Sequence, residues 1–370
     1  MFADEHLYSI ALRKCSNIGD INFYKLVNAV GSAREVWSFP KRELAKILGI
    51  GNRTLHEIGS GEALQFAEKE LKFCESHSIH IRLRHRAELP ALLNECEDAP
   101  AILYQKGNLQ PYRKSFSMVG TRNMTSYGKG FVHDFFQHIR KSGIISVSGL
   151  ALGVDTEVHE QSLKEQIPTV AVLAHGFHTI YPSKNRKLAE RILEHNGVLL
   201  SEFNSSQKPD RENFIQRNRI VAGLSEATIV VETAFGGGSV STVGFANTYN
   251  REVYALPGKI NDKYSQGCNM VIAQNKARII STVTDLVEEL GLDDQSGLME
   301  PLFPKSELRR QMTEDQKIIY NIIVENPYIS LDEIAGKTSS ASHKILSQLL
   351  ELELSGLIKA LSGRQYTANP

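Results

Sequence analysis

The chain has 370 residues, 42 basic against 42 acidic side chains and a hydrophobic fraction of 41%. This is enough for two or three globular domains, and no run approaches the roughly 18 apolar residues of a membrane span. Zero formal net charge disfavours a protein that coats duplex DNA through bulk charge, while leaving room for a local basic channel.

Four scattered cysteines, Cys15, Cys74, Cys96 and Cys268, form no CxxC pair, so neither a disulfide framework nor a metal site is expected. Acidic residues precede the first short apolar piece, unlike a secretory signal, and a cytoplasmic location is the expectation.

Residues 1–84 read as a helical domain. Apolar residues recur at helical spacing from Leu7 to Trp37, with breaks at Ser16–Asp20 and Leu48–Asn52. Helices joined by Ile-Gly turns resemble the helix-hairpin-helix, whose turn amides contact DNA phosphates; a plain bundle with glycine caps is the equally open alternative. The run Arg82-Leu83-Arg84-His85-Arg86 reads as a solvated charged face or the border of a nucleic-acid groove. From Glu88 the chain turns loop-like and then enters a strand within AILYQKGNL, marked by proline and Gly-Asn turns.

Residues 85–292 form the central α/β domain. Six short runs rich in β-branched residues, FSMVG (116–120), IISVS (144–148), TVAVL (169–173), VLLSE (198–202), ATIVV (227–231) and VYAL (253–256), alternate with helix-like segments. Their near-continuous apolar character predicts a parallel sheet covered on both faces. Ligands of such sheets sit at the carboxyl ends of the strands. The turns there are Gly120-Thr121-Arg122, Ser148-Gly149-Leu150-Ala151, His175-Gly176 and Glu232 to Ser239. Glycine lets backbone N–H groups approach an anion closely, and helix N-termini aim unpaired donors at it.

Arg122, two residues past a strand, is placed to clasp a phosphate with its planar fork. No Walker loop follows, because Gly128-Lys129-Gly130 has the wrong spacing and no Ser or Thr after the lysine. Nor is there a GxGxxG with an acidic residue downstream. Asp155 and His159 share a helix face at i, i+4 and lack a third catalytic member, which predicts a structural hydrogen bond. Tyr181-Pro182-Ser183-Lys184-Asn185-Arg186 combines a ring with cations, as a base-stacking, phosphate-clamping edge requires. Arg217 and Arg219 flank Asn218, expected at the start of a short helix, where guanidinium groups and helix N–H donors converge.

After a polar linker at 293–306, residues 307–370 return to helical periodicity. Ser330 and Glu333 form a capping box before a helix-turn-helix, Ser339 to Leu354 is amphipathic, and Gly356 to Tyr366 suits a β-wing. The second helix offers Ser342, His343, Lys344 and Gln348 beside Glu351 and Glu353, which favours protein contact or a structural role over duplex reading.

The ordered set VGTR (119–122), SGLALGVD (148–155), YPSKN (181–185), SEF (201–203), FxxRNRIVAGLS (214–225), VVEx5GS (230–239), LPG (256–258) and SQGCN (265–269) resembles the DNA-processing protein A family, DprA or Smf. The likeness spans the central domain. What precedes it is similar to the sterile-alpha-motif or helix-hairpin-helix domain of many members, and the tail resembles their winged helix. The resemblance implies an extended Rossmann-like fold and a non-enzymatic protein without cofactor or catalytic residues. It also implies a cytoplasmic homodimer that binds single-stranded DNA and loads the RecA recombinase during natural transformation, with no membrane association. The implied DNA-binding residues are Gly120, Arg122, Ser148, Gly149, Lys184, Asn185, Phe214, Arg217, Asn218, Arg219, Gly238, Ser239 and Thr242. Ile215 stands where the family usually has proline, and GGSVSTV (237–243) replaces its SGSLITA turn. The competing class is a nucleotide hydrolase of the cytokinin-activating type, but its PGGxGT turn is here Gly-Gly-Gly-Ser without the proline, and Glu232 precedes the turn.

Overall fold

All six β-branched runs become strands of one sheet, in a computed structural model that describes residues 4–108, 111–139, 143–292 and 312–368, apart from 327, 339, 341, 356 and 362–364. The linker expected at 293–306 lies outside the described residues. The chain divides into two units, Met1–Leu109 with Lys114–Gln295 and Gln110–Arg113 with Ser296–Pro370.

Among the described residues the sheet has nine strands: β1 (Ile79–Leu83), β2 (Ile102–Lys106), β3 (Lys114–Val119), β4 (Ile144–Ser148), β5 (Thr169–Val172), β6 (Val198–Ser201), β7 (Ala227–Val230), β8 (Glu252–Ala255) and β9 (Arg278–Ile279), in the order β1-β2-β6-β5-β4-β3-β7-β8-β9. Strands β3 to β9 pair in parallel, and β1 and β2 add an antiparallel margin against β6. From β3 the chain winds outward through β4, β5 and β6, then returns to β3's other side and winds through β7, β8 and β9. The switch point therefore lies between the turns that leave β3 and β7, where such folds open a crevice.

Helices of the N-terminal region are α1 (Asp4–Lys14), α2 (Asp20–Val30), α3 (Ala33–Ser38), α4 (Lys41–Leu44), α5 (Asn52–Leu55) and α6 (Gly61–Ser76). Leu12, Phe23, Leu26, Leu44 and Leu55 build their core, which continues without a break into Ile79 and Ile81 of β1 and Tyr104 of β2. β1 thus joins the sheet just before the residue where the sequence placed the end of the helical region.

The Arg82–Arg86 run corrects its reading as a solvated face. Arg82 is buried on β1 and donates from Nε to Gln105 Oε1 at 2.8 Å. Arg84 donates to the carbonyls of Cys96, Glu97 and Ala99. His85 meets the buried carboxylate of Glu5 at 2.7 Å, which also accepts from the N–H groups of Ala33 and Arg34. Local charge density could not reveal that these groups satisfy carbonyls and carboxylates inside the fold.

Beyond α7 (Ala91–Asn94), the sheet is flanked by α8 (Ser126–His138), α9 (Val154–Lys164), α10 (Arg186–Glu194), α11 (Arg211–Gly223), α12 (Ser239–Thr248), α13 (Gln266–Ala273) and α14 (Val283–Glu289). Phe116 and Met118 of β3 pack on Val132, Phe135 and Phe136 of α8, with Leu286 of α14 in the same cluster. No helix among the described residues is long and apolar enough to cross a membrane.

In the second unit, α15 (Glu314–Glu325), α16 (Leu331–Thr338) and α17 (Ser342–Leu354) enclose Ile319, Ile323, Ile334, Ile345 and Leu349. Strands β10 (Ile329–Ser330), β11 (Ile358–Leu361) and β12 (Gln365–Ala368) run in the order β10-β12-β11, completing a winged helix. Ser330 and Glu333 make the expected reciprocal cap, Ser330 N–H donating to Glu333 Oε2 at 2.8 Å and Glu333 N–H to Ser330 Oγ at 3.4 Å.

Phe135 is fully buried, edge-on to Phe116 at 5.2 Å and to Phe136 at 5.9 Å. Phe135→Ala is expected to cost about 3–5 kcal/mol of stability, read by urea unfolding. A loss below about 1 kcal/mol would contradict this packing.

Candidate nucleic-acid interface

A cleft of about 1150 Å³ opens at the switch point. Its walls come from the turns after β3, β4, β5 and β7, from α11, and from the loop that precedes α11. The rim is tied across the sheet: Thr121 N–H donates to Glu232 O at 2.6 Å and Val154 N–H to Thr121 O at 3.1 Å. Close approach explains two glycines. A Cβ on Gly120 would stand 2.5 Å from Val154 and 2.8 Å from Glu232 O, and one on Gly149 would collide with the Arg217 guanidinium.

Of the residues implied by the sequence, Gly120, Arg122, Gly149, Phe214, Arg217, Asn218, Gly238, Ser239 and Thr242 line this cleft; Ser148, Lys184, Asn185 and Arg219 do not. Ser148 is buried and donates from Oγ to Met118 O at 2.8 Å. Asn185 pins the second turn from below, its Nδ2 reaching Leu150 O and Thr156 Oγ1 at 2.9 Å each. Lys184 is exposed outside the cleft.

Asp155 and His159 do not bond each other. Asp155 Oδ2 accepts from Gly149 N–H at 3.1 Å and Ala151 N–H at 3.2 Å. Burial raises its pKa, against the pull of the neighbouring Arg217. His159 Nδ1 pairs with Thr169 Oγ1 at 2.8 Å. Burial, reinforced by Arg217, lowers its pKa to about 3, so the ring stays neutral. Asp155 shapes the turn, and His159 ties α9 to the start of β5.

The Arg-Asn-Arg element corrects the reading of a helix start. α11 begins at Arg211, where the Asp210 side chain accepts from Glu212 N–H at 3.0 Å, so Arg217 to Arg219 lie mid-helix, where backbone N–H groups are already engaged. Arg217 is buried and donates from Nη1 to Gly149 O at 2.5 Å and to Val172 O. Burial lowers its pKa to about 10, leaving it charged at neutral pH. Arg219 points away from the cleft to Asp98 O, to Asp20 Oδ2 at 3.3 Å and to Glu202 Oε2 at 2.5 Å. Asn218 links α11 to α12, donating from Nδ2 to Ser241 Oγ at 2.9 Å.

Part of the cleft's lining is aromatic and cationic. The Arg122 guanidinium lies 4.9 Å from the centre of the Phe214 ring, and Tyr181, 45% exposed, meets that ring edge-on at 5.8 Å. Lys208 and Arg211 are exposed on the same wall. Sequence reasoning passed over both; the signal was a Lys-Pro-Asp-Arg helix entry ending three residues before Phe214 of the Phe-x-x-Arg element. Ser239 lies at the N-terminus of α12, and its hydroxyl is buried with no hydrogen-bond partner. Among the described residues no group of three or more His, Cys, Asp or Glu could hold a metal ion.

Glu202, bonded to Arg219, is pushed up to about 7, chiefly by burial. The sign is that of a raised carboxylate: stability from the protonated form is full below about 4.5 and is lost as pH rises through about 7. Arg219→Ala strands this carboxylate and is expected to cost about 3–5 kcal/mol near pH 8, with a smaller loss at pH 5, where Glu202 takes up a proton. Urea unfolding at the two pH values checks this; a loss equal at both would contradict it.

The family model described as DNA recombination-mediator protein A matches residues 80–291, and one described as DprA winged helix domain matches residues 304–364. The protein Smf of Synechocystis sp. is 30% identical over 403 residues, covering 99% of each chain. The solved structure of DNA processing protein A from Streptococcus pneumoniae aligns with a TM-score of 0.62 at 26% identity, over 78% of this chain and 98% of that one. A Helicobacter pylori structure, described as giving insight into the single-stranded DNA binding mode of DNA processing protein A, aligns with a TM-score of 0.51 at 27% identity, over 57% of this chain and 95% of that one. Cleft, sheet order and winged helix thus sit in a chain that belongs to the DNA recombination-mediator protein A family, DprA/Smf.

Proposed function

We propose that this chain binds single-stranded DNA in the switch-point cleft and, as a cytoplasmic homodimer, loads a RecA-type recombinase onto it during natural transformation. The observation that carries the binding is the meeting of Arg122, Phe214 and Tyr181 in one cleft wall beside Lys208 and Arg211. Sequence-independent capture of a single strand needs ring faces for bases and cations for phosphates, with little base-edge readout. The unpartnered Ser239 hydroxyl at the start of α12 adds a donor where a helix N-terminus already favours a phosphate. Gly120, Gly238 and Thr242 shape this rim, and Gly149 and Asn218 hold it. Ser148, Asn185, Arg217 and Arg219 serve from beneath, and Lys184 meets the strand outside the cleft. The Helicobacter pylori relative described by its single-stranded DNA binding mode supports the ligand, and the family's description as recombination mediator supports the role.

The reading is non-catalytic. A nucleotide hydrolase of the competing class needs a glutamate facing its ligand. Glu232 is buried and accepts from Thr125 N–H at 2.8 Å and Thr125 Oγ1 at 2.5 Å, outside the cleft lining.

Fluorescence anisotropy with a labelled oligothymidine and a duplex tests the binding. The single strand is expected to bind preferentially and more weakly as salt rises. Phe214→Ala is expected to weaken it about tenfold, the scale of one lost base stack, and Arg122→Ala to lower the salt slope by about one. Equal binding of both nucleic acids, or release of free base from AMP, would overturn the reading. Light scattering reads the dimer, and RecA-driven strand exchange on strand coated with single-strand-binding protein reads the loading.

A further inference from the structure

We propose that Glu70, on helix α6 of the N-terminal region, is a positioning residue for the cleft: it holds in place the loop that presents Lys208 and Arg211. The inference rests on the single-strand reading above.

Glu70 is 3% exposed. Its Oε1 accepts from Ser205 N–H and its Oε2 from Ser205 Oγ, both at 2.6 Å. Burial raises its pKa and only the Ser205 donors pull it down; no cation is among the groups acting on it. A carboxylate buried without a cation is costly, and here its bonds go to one residue of the loop between β6 and α11. The same loop is fixed on its other side. Ser205 O accepts from His178 N–H at 3.1 Å and lies 2.8 Å from His178 Nδ1, and Gly176 N–H donates to Gln207 O at 2.9 Å. Gly176 has no room for a side chain, since a Cβ there would collide with the carbonyls of Asn204 and Ser205.

Three residues beyond Ser205 the loop delivers Lys208 to the cleft wall, and Asn213 Nδ2 holds Lys208 O at 3.2 Å. Arg211 then opens α11. Without Glu70, the Ser205 N–H and hydroxyl lose their acceptors, and Asn204 to Gln207 keep only the bonds from the Gly176–His178 turn, while Lys208 keeps the one from Asn213. The two cations then sample positions away from the strand. A helical region with no residue in the cleft thereby sets the cleft's charge geometry.

The test uses the full-length protein and a labelled oligothymidine, with affinity measured across a salt series. Glu70→Ala is expected to weaken binding roughly three- to tenfold and to lower the salt slope by about one. Glu70→Gln, which keeps one acceptor oxygen, and Ser205→Ala, which removes one donor, should each give part of the loss; these milder variants carry the test if Glu70→Ala does not fold. In a Lys208→Ala/Arg211→Ala background, all three substitutions should become silent. Unchanged affinity and slope in Glu70→Gln and Ser205→Ala would overturn the proposal, and so would losses that persist undiminished in the double-alanine background. Unmodified protein that fails to bind the strand would overturn the parent reading instead.

Discussion

The guanidinium of Arg217 is the bolt on which the cleft depends. It donates to Gly149 O just past the end of β4 and to Val172 O at the end of β5, and its charge acts on the nearby Asp155, which gathers the N–H groups of Gly149 and Ala151. Helix α11 is thereby fixed across the carboxyl ends of two parallel strands, and Phe214, one turn earlier, is held over the opening. A buried guanidinium that lost these carbonyl acceptors would be left unsatisfied at a cost well above the net contribution of the bonds, so the arrangement specifies one geometry. Gly149 follows from it, because any side chain there would occupy the space of the guanidinium.

Two sets of cations in this protein have opposite jobs. Arg82, Arg84, Arg217 and Arg219 are spent on carbonyls and carboxylates inside the fold, Arg217 from the cleft's floor, and Arg122, Lys208 and Arg211 are exposed along the cleft. Zero net charge is compatible with a strand-binding role because what matters to a phosphate is this local convergence. Phe214 takes Arg122 on one side and Tyr181 on another, the ring-and-cation combination that the proposed sequence-independent binding would use.

The parallel sheet was legible because its central strands β3 to β7 are buried on both faces and read as continuous apolar runs bounded by glycine turns. Their carboxyl ends, and with them Gly120, Arg122, Gly149 and the Gly238-Ser239 turn, followed from strand polarity alone. The short strands β1 and β9 escaped, since IHIRL and the two residues Arg278 and Ile279 carry no apolar run. The direction of a side chain also escaped. Arg217 and Arg219 are two apart on one helix, about 200° around its axis, so one reaches under the cleft while the other leaves it for Glu202 and Asp20. Lys208 sits in a Lys-Pro-Asp-Arg helix entry that was legible, but the bonds from distant Glu70 to Ser205 in its loop leave no local pattern.

Cross-linking a photoreactive thymidine strand to the full-length chain and mapping the adducts by mass spectrometry tests the central claim most directly. The account predicts adducts on Phe214 and Tyr181, suppressed by unlabelled single strand and insensitive to duplex. Adducts confined to the winged helix or to the N-terminal hairpin turns, with none in the cleft, would contradict it.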